Sequence, residues 1–317
     1  MLLTIVFLVP ATVLAYFLWR VLTETTRSHS PICVPALFAL AGALHGQQMI
    51  SAKAGLLNHL EGNALLNGYQ IMLKPGEFPQ MKEGDTFQTD AGHQEVLLGP
   101  GVFLRLGENS RFRLVSALLT DTRVDFEKGS AVIECASQPE HAHLAFTFQK
   151  ATVSILKDGV YRLDSDPGQL EVYAGEARAL QGEQTQTVGK DRRLVLDGVS
   201  TPGRFDDQTG DALYQWAKRR SEYLAAANVS AAAVYVYQSG VSYASSAWVW
   251  NPSYKVYTLL PPSGKWRNFW GFEYHSPASP GVRASGVDSL SAAQQRSDAL
   301  AAASKQTDTC GLYGYHY

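Results

Sequence analysis

Short runs in which apolar and polar residues alternate, separated by turn residues, fill the chain over 54–196. In one such run Thr122, Val124 and Phe126 alternate with charged residues. Successive side chains of a strand point to opposite faces, so this alternation predicts antiparallel strands with one buried face. No long amphipathic helix interrupts the region, which argues against a βαβ nucleotide-binding fold. The sequence therefore predicts a mainly β fold, built as an antiparallel β-sandwich or a short β-solenoid.

Turn signals predict where the strands reverse. Asn67-Gly68 lies between two apolar runs and predicts a hairpin, because both residues tolerate the positive φ that such a turn needs. Asp158-Gly159 lies between two further apolar runs and predicts a second hairpin. Asp166-Pro167-Gly168 then turns the chain once more. Residues 152–180 are therefore predicted to form a three-strand meander.

Two apolar segments precede the β region. Residues 2–19 carry no charged side chain and are long enough for a marginal transmembrane helix. Residues 32–44 follow two arginines and include Ala41-Gly42-Ala43, a small-residue pattern typical of signal peptidase sites. Either 2–22 anchors the protein and 32–44 is a second hydrophobic arm, or an export signal ends after the small residues; we favour the second. Both predict an exported protein, periplasmic or membrane-anchored, with membrane contact through the apolar segments if they are not cleaved.

The chain changes character after Pro202. Acidic residues precede an apolar segment and basic residues follow in its later turns, an order that suits the helix dipole. We predict a helix from Leu213 to about Ala227, and a second short helix capped by Asn228. The run Lys218-Arg219-Arg220 has acidic neighbours and is predicted to be a solvated face.

Composition divides the rest of the chain. Residues 241–277 hold four of the six tryptophans, with prolines that favour an irregular path, and 278–317 are mostly small and polar. The predicted organisation is a hydrophobic anchor or signal segment (1–46), a β domain (54–200), a helical segment (205–240), a Trp/Tyr-rich irregular module (241–277) and a flexible tail (278–317).

The aromatic module is the feature best suited to recognition. Exposed rings there would form a stacking platform for a protein partner or for sugar rings. We favour the alternative, in which the rings bury one another or cover an open end of the β domain, since Trp and Tyr are highly buried on average. The candidate binding residues are Trp248, Trp250, Tyr254, Tyr257, Trp266 and Trp270.

Catalytic and metal signatures are missing from the sequence. There is no Gly-x-Ser-x-Gly, no P-loop and no dinucleotide fingerprint. His141 and His143 would share a strand face, but their neighbours do not fit a cupin-type metal site and Pro139 favours a solvated loop. The net charge of −2 argues against a dedicated nucleic-acid binder. We therefore predict no catalytic residue, no metal and no cofactor.

Three widely spaced cysteines exclude a disulfide-rich scaffold. Cys135 continues the face of Ala131 and Ile133, which predicts a buried thiol. A disulfide between Cys135 and Cys310 would be possible in an oxidising compartment, and the sequence leaves that pairing open.

The strand pattern resembles a known family. The segment EGDTFQTD at 83–90, followed by EVLLGPGVFLRLGENSRFRL at 95–114, looks like the first half of a FecR domain. The second half resembles the family at 159–163 and at 170–177. The resemblance covers 54–196, under half of the chain, and its motifs are turn and core residues.

The resemblance implies an exported, all-β, non-enzymatic domain. The family's best-known members are bacterial inner-membrane regulators, which sense an outer-membrane transporter and control a sigma factor through a cytoplasmic N-terminal segment. Here the first apolar segment begins at Leu2, so sigma-factor control by that route is not expected. We expect an envelope protein-interaction or regulatory module with a protein partner, and glycan or cell-wall binding by the aromatic cluster as the alternative.

Overall fold

The computed structural model describes residues 49–50, 54–73, 77–136, 142–196, 198, 200–205, 210–238, 246–277 and 279. The predicted anchor or signal segment, His141, Cys310 and all but Ser279 of the predicted tail lie outside the described residues. Among the described residues the fold is mainly β, with several antiparallel sheets and one helix, which confirms the predicted class. Within the part of the chain that the structure describes, no helix is both long enough and apolar enough to cross a membrane.

Two large sheets form the scaffold. The eight-stranded sheet contains, in spatial order, β18 (Gly203–Arg204), β17 (Arg192–Val195), β14 (Gly168–Ala174), β13 (Gly159–Ser165), β10 (Ser130–Cys135), β7 (Val102–Leu106), β6 (Gln94–Gly99) and β2 (Leu56–Leu60). The nine-stranded sheet contains β16 (Gln184–Gly189), β15 (Glu176–Gln181), β12 (Ala151–Ile155), β11 (His143–Phe148), β9 (Asp121–Lys128), β8 (Arg111–Leu118), β5 (Thr86–Thr89), β3 (Ala64–Leu66) and β4 (Tyr69–Ile71). Neighbouring strands are antiparallel except β9 and β11, which are parallel.

The C-terminal part adds one helix and two small sheets. The helix α1 (Ala212–Gln238) is followed by a three-stranded sheet and a short hairpin. The three-stranded sheet has the order β1 (Met49–Ile50), β19 (Ala247–Asn251) and β20 (Val256–Leu260), and the hairpin pairs β21 (Lys265–Arg267) with β22 (Glu273–His275).

The inner faces of the two large sheets form one apolar core, which includes Leu104, Phe112, Phe126 and Phe146. Burial alternates along β8 and β9 as predicted, so their charged residues point to solvent. We call this solvent-facing side of the nine-stranded sheet the open face; it carries Arg113, Val115 and Asp125.

The eight-stranded sheet is covered on both sides over β6 and β7. Every residue of β6 and β7 is buried, so no alternation of exposure is visible there. Leu104 faces the nine-stranded sheet, whereas Phe103 packs with side chains of α1 and β19, including Leu224 and Trp248. We call the side under the helix and the C-terminal strands the covered face.

Two of the predicted turns are present and one is not. β3 pairs with β4 around Asn67-Gly68, whose φ values of 53° and 81° suit the predicted hairpin. β13 pairs with β14 around Asp166-Pro167. The predicted Asp158-Gly159 hairpin and the 152–180 meander are wrong, because β12 and β13 belong to different sheets. The chain crosses between sheets there, and a side chain at Gly159 would collide with the Ala174 carbonyl oxygen.

The helix is continuous through Asn228, so the predicted second helix is wrong. The N-terminal cap is Asp211, whose Oδ1 accepts a hydrogen bond from the Tyr214 N–H at 3.0 Å. Asn228 does not cap a helix because its side chain bonds to the C-terminal strands instead.

Candidate binding cleft beside the C-terminal strands

A row of mostly charged residues crosses the covered face. The strand register aligns one residue from each of seven neighbouring strands: His59, Glu95, Arg105, Val132, Arg162, Glu171 and Arg193. Opposite charges on neighbouring strands pair at two points of this row, Arg105 with Glu95 and Arg193 with Glu171. The row therefore gives the covered face polar groups to which the helix can bond.

Four charged side chains form the buried network: Glu95 and Arg105 of this row, Glu134 of β10 and Arg220 of α1. Arg105 donates from Nε to Glu95 at 2.9 Å and from Nη1 to Glu134 at 2.7 Å. Arg220 of α1 donates to the other oxygen of Glu95 at 2.9 Å. Burial alone would raise the pKa of Glu95, but Arg220 and Arg105 outweigh it and lower that pKa to about 2. Two cations therefore balance two carboxylates inside the protein.

Arg220 corrects the prediction of a solvated basic run. Lys218 and Arg219 are exposed, but Arg220 is buried against the covered face. One turn of helix separates it from Trp216 and from Leu224, which are buried on the same side. Helical spacing thus places this one cation of the three on the packed face.

Two asparagine side chains hold the free edge of β20. Asn58 accepts from the Tyr257 N–H at 2.8 Å and donates to the Tyr257 carbonyl at 3.0 Å. Asn228 donates to the Leu259 carbonyl at 2.7 Å. These amides replace a neighbouring strand, and they fix the C-terminal sheet to the scaffold and to the helix. We call these hydrogen bonds of Asn58 and Asn228 the joint.

A cleft of about 440 Å³ lies beside this joint. It is lined by β2 and the residues after it, by the connection between β4 and β5, by α1, and by the turn between β19 and β20. Its lining includes Asn58, His59, Leu60, Glu61, Glu77, Phe78, Arg220, Tyr223, Tyr254 and Lys255.

Aromatic rings form and support the walls of the cleft. Phe78 packs edge-on against Trp250 and Tyr257, with ring centroids 4.8 and 4.9 Å apart. Tyr223 packs against Tyr254 at 5.1 Å and donates from its hydroxyl to the Tyr254 carbonyl at 2.8 Å. These contacts fix the ring positions before any ligand arrives.

A histidine and carboxylate group extends from one wall of the cleft. The Glu61 carboxylate lies 3.0 Å from His59 Nε2 and 3.9 Å from His93 Nδ1. His93 stacks on Trp216 with ring centroids 4.8 Å apart, and His59 lies 6.2 Å from the same ring. Burial and the nearby Arg220 lower the pKa of His59. Burial acts to raise the pKa of Glu61, but hydrogen bonding with His59 and other contacts produce a net lowering. At neutral pH His59 is therefore neutral and Glu61 is charged.

The structure brings three of the six predicted binding residues to the cleft. Tyr254 lines it, and Trp250 and Tyr257 support Phe78 from behind. Trp248 is buried beneath them against Phe103, with ring centroids 5.1 Å apart. Its ring is therefore part of the core.

The other two predicted residues lie away from the cleft. Trp266, on β21, packs against Tyr274 at 5.2 Å. Trp270 follows β21 and donates from Nε1 to the Tyr214 hydroxyl at 2.9 Å. Both rings fasten the β21–β22 segment, so the aromatic module is divided between separate roles.

Sequence reasoning missed Asn58, His59, Glu61 and Arg220. His59 and Glu61 are two residues apart, a spacing that places both on one strand face, and this was the signal available. Arg220 lies 125 positions from its partner Glu95, and no local pattern indicates such a pair.

Other candidate chemistry stays unsupported within the described ranges. No group of three or more His, Cys, Asp or Glu among these residues is arranged to hold a metal ion. His143 is exposed at the start of β11, with Nδ1 3.1 Å from Asp121. Cys135 is buried in the core with Ala131 and Ile133, which confirms the predicted environment of its thiol.

Comparison with known proteins does not establish a family for this chain. No protein-family model and no curated protein matches this chain. Two crystal structures, each described as a "putative anti-sigma factor" from Parabacteroides distasonis ATCC 8503, are similar to part of it. The first, at 2.50 Å, is 16% identical with a TM-score of 0.35 over 39% of this chain and 61% of the other. The second, at 1.65 Å, is 15% identical with a TM-score of 0.36 over 42% of this chain and 64% of the other. The chain thus spans less than two thirds of either structure.

Proposed function

We propose that this protein is an exported, FecR-type regulatory or interaction module of the bacterial envelope, which recognises a protein partner and carries out no covalent chemistry. The observation that carries the proposal is the cleft, because its rings and charges are held in place by a buried, hydrogen-bonded joint. The resemblance of 54–196 to a FecR domain and the apolar segments before it support the family and the location.

The cleft has the properties of a recognition site. Binding energy in protein interfaces is concentrated in a few aromatic and charged anchors that are fixed on rigid elements. Tyr254 and Phe78 are such anchors, and the buried network behind them holds the helix wall against the sheet. General acid–base catalysis favours a pKa near the operating pH. The pKa of Glu61 is lowered, further from neutrality, so this carboxylate is poorly suited to act as a general acid or base.

Site-specific photo-crosslinking tests the proposal. A benzoylphenylalanine replaces Tyr254 in the full chain, expressed in the envelope of a bacterial host that carries this protein. We expect a protease-sensitive adduct at this position. Leu118, which is 60% exposed at the end of β8, is the matched control and is expected to give none. Equal adducts at both positions, or none at Tyr254, would contradict the proposal.

Export is tested separately. A reporter that is active only outside the cytoplasm, fused after residue 50, is expected to be active, and sequencing the mature N-terminus distinguishes a cleaved signal from a retained anchor. A reporter active only in the cytoplasm would refute export.

A second candidate function is glycan or cell-wall binding. The observation that favours it is the ring of Tyr254 beside polar groups in one open cleft, since sugar rings stack on aromatic faces. Soluble cell-wall fragments would then change tryptophan fluorescence, through Trp250 near the cleft, and Tyr254→Ala would abolish the change. Trp266→Ala, away from the cleft, would preserve it.

A further inference from the structure

Given the proposed function, on which this inference rests, we infer that the cleft binds an extended peptide segment of the partner, paired with the free edge of β2 and carrying one basic and one acidic side chain.

Among the residues that the structure describes, no strand pairs with β2 at the cleft end of its edge. The N–H and C=O groups of Glu61 and His93 bond to each other, at 2.8 and 3.1 Å. Bonded and non-bonded pairs alternate in an antiparallel ladder, so the next pair, Leu60 with Gln94, is non-bonded. The N–H and C=O of Leu60 therefore point away from β6. β2 is the last strand of its sheet and Leu60 lines the cleft, so these two groups are placed to pair with an added strand.

The chain itself already uses the other half of this edge. The Leu57 N–H donates to the Pro79 carbonyl at 3.0 Å, and the Met81 N–H donates to the Gly55 carbonyl at 2.9 Å. An extended segment therefore pairs with β2 as far as Leu57. Strand addition at an exposed edge is a general mode of peptide recognition, in which backbone pairing gives affinity and side-chain pockets give specificity.

The two walls of the cleft carry opposite charges. Glu61 and Glu77 lie on the wall formed by β2 and the β4–β5 connection, and Arg220 and Lys255 lie on the wall formed by α1 and the β19–β20 turn. Lys255 is exposed and is the cation that a ligand can reach, because Arg220 is buried and pairs with Glu95. A ligand with a single charge would match one wall and oppose the other. A segment with both charges matches both.

A ring on the acidic wall favours the same ligand. Phe78 belongs to the β4–β5 connection, beside Glu77, and its ring attracts the stem and head of a lysine or arginine. Alternate residues of an extended peptide lie about 7 Å apart on one face, so one basic and one acidic residue at alternate positions can face the two walls of the cleft.

A peptide library provides the test. A random heptapeptide phage library is panned on the full chain in detergent micelles, and the selected peptide is labelled with fluorescein for anisotropy titrations. We expect an enriched pattern with Lys or Arg two residues from Asp or Glu. Glu61→Gln and Lys255→Ala should each weaken binding about 5-fold, the size expected for one partly exposed ion pair. Glu222→Gln and Lys218→Ala, exposed on α1 and absent from the cleft lining, are matched controls and should leave binding unchanged.

Strand pairing has its own readout. N-methylation at one peptide position should weaken binding much more than at its neighbours, because that amide faces Leu60. An unenriched library, or a peptide whose affinity ignores both cleft substitutions, would overturn the inference. If the Tyr254 crosslink to a protein persists in that case, the proposed function stands and only the occupant is wrong. Displacement of the peptide by cell-wall fragments would overturn the choice of a protein segment.

Discussion

The open face and the covered face show how the same strand chemistry has different consequences. On the open face Arg113 pairs with Asp125 at 2.7 Å, and both side chains remain partly exposed, at 50% and 27%. On the covered face Arg105 pairs with Glu95 at 2.9 Å, and both side chains are 0% exposed. Each pair joins neighbouring strands. The comparison teaches that the layer above a sheet, and not the alternation along its strands, decides how much an ion pair contributes to the free energy of unfolding.

The largest expected effect comes from breaking the buried network. Arg105→Ala leaves the Glu95 and Glu134 carboxylates buried without their shared partner, and we expect a loss of about 3–5 kcal/mol in the free energy of unfolding. Urea unfolding of the purified protein measures it. Arg113→Ala on the open face is the matched control, with an expected loss below about 1 kcal/mol. Similar losses for the two variants would show that the two faces do not differ as described.

The joint that creates the covered face is the next target. Asn228→Ala removes the partners of the Leu259 and His275 carbonyls and of the His275 N–H, so we expect a loss of about 2–3 kcal/mol. Urea unfolding followed by near-ultraviolet circular dichroism reports both the stability and the packing of the aromatic rings. Glu222→Ala, on the exposed side of the same helix, should change little. An unchanged Asn228→Ala protein would mean that the asparagine does not hold the C-terminal sheet.

Acidification is expected to lower the free energy of unfolding by a smaller amount, through titratable groups on the covered face. The pKa of His59 is lowered in the folded protein, so the unfolded chain takes up this proton first, and stability falls as the pH drops below the ordinary value of 6.5. The pKa of Glu95 is also lowered, so a further loss begins below 4.5 and continues towards its folded value of about 2. Unfolding free energies measured from pH 8 to pH 4 should show the first decline. His59→Gln should reduce it to the part contributed by His275, whose pKa is also lowered by burial. A wild-type curve that stays flat between pH 7 and pH 5 would contradict the assignment.

The smallest effect is expected on the open face. Val115 is 41% exposed, and Val115→Thr should change the free energy of unfolding by less than about 0.5 kcal/mol. A loss of several kcal/mol would reveal that a further layer covers this face in the intact protein.

The strands could be predicted from the sequence where one face meets water. The burial of Phe112 and Phe126 followed from alternation in β8 and β9. The Asn67-Gly68 hairpin followed from the conformational preference of two residues. The sheet that receives each strand could not be predicted, because Asp158-Gly159 favours a tight reversal in isolation but joins two sheets here.

The cleft was less predictable than the fold. Tyr254 was a candidate because the aromatic density around it is visible in the sequence. Its opposite wall, with His59 and Glu61, comes from a strand almost two hundred residues earlier and carries no comparable signal. Trp248 and Tyr254 have similar sequence surroundings, and packing alone places one in the core and the other at the surface.

The sequence by itself determined the mainly β character of this protein, its main turns and the buried inner faces, because these depend on side-chain periodicity and on the backbone preferences of neighbouring residues. The tertiary structure decided which sheet each strand joins, that Arg220 is buried, and that two distant segments form a cleft. The reason is physical: partners such as Arg220 and Glu95, or Asn58 and Tyr257, meet only after the helix covers the sheet. The energy of a polar contact is set by the burial that this covering creates.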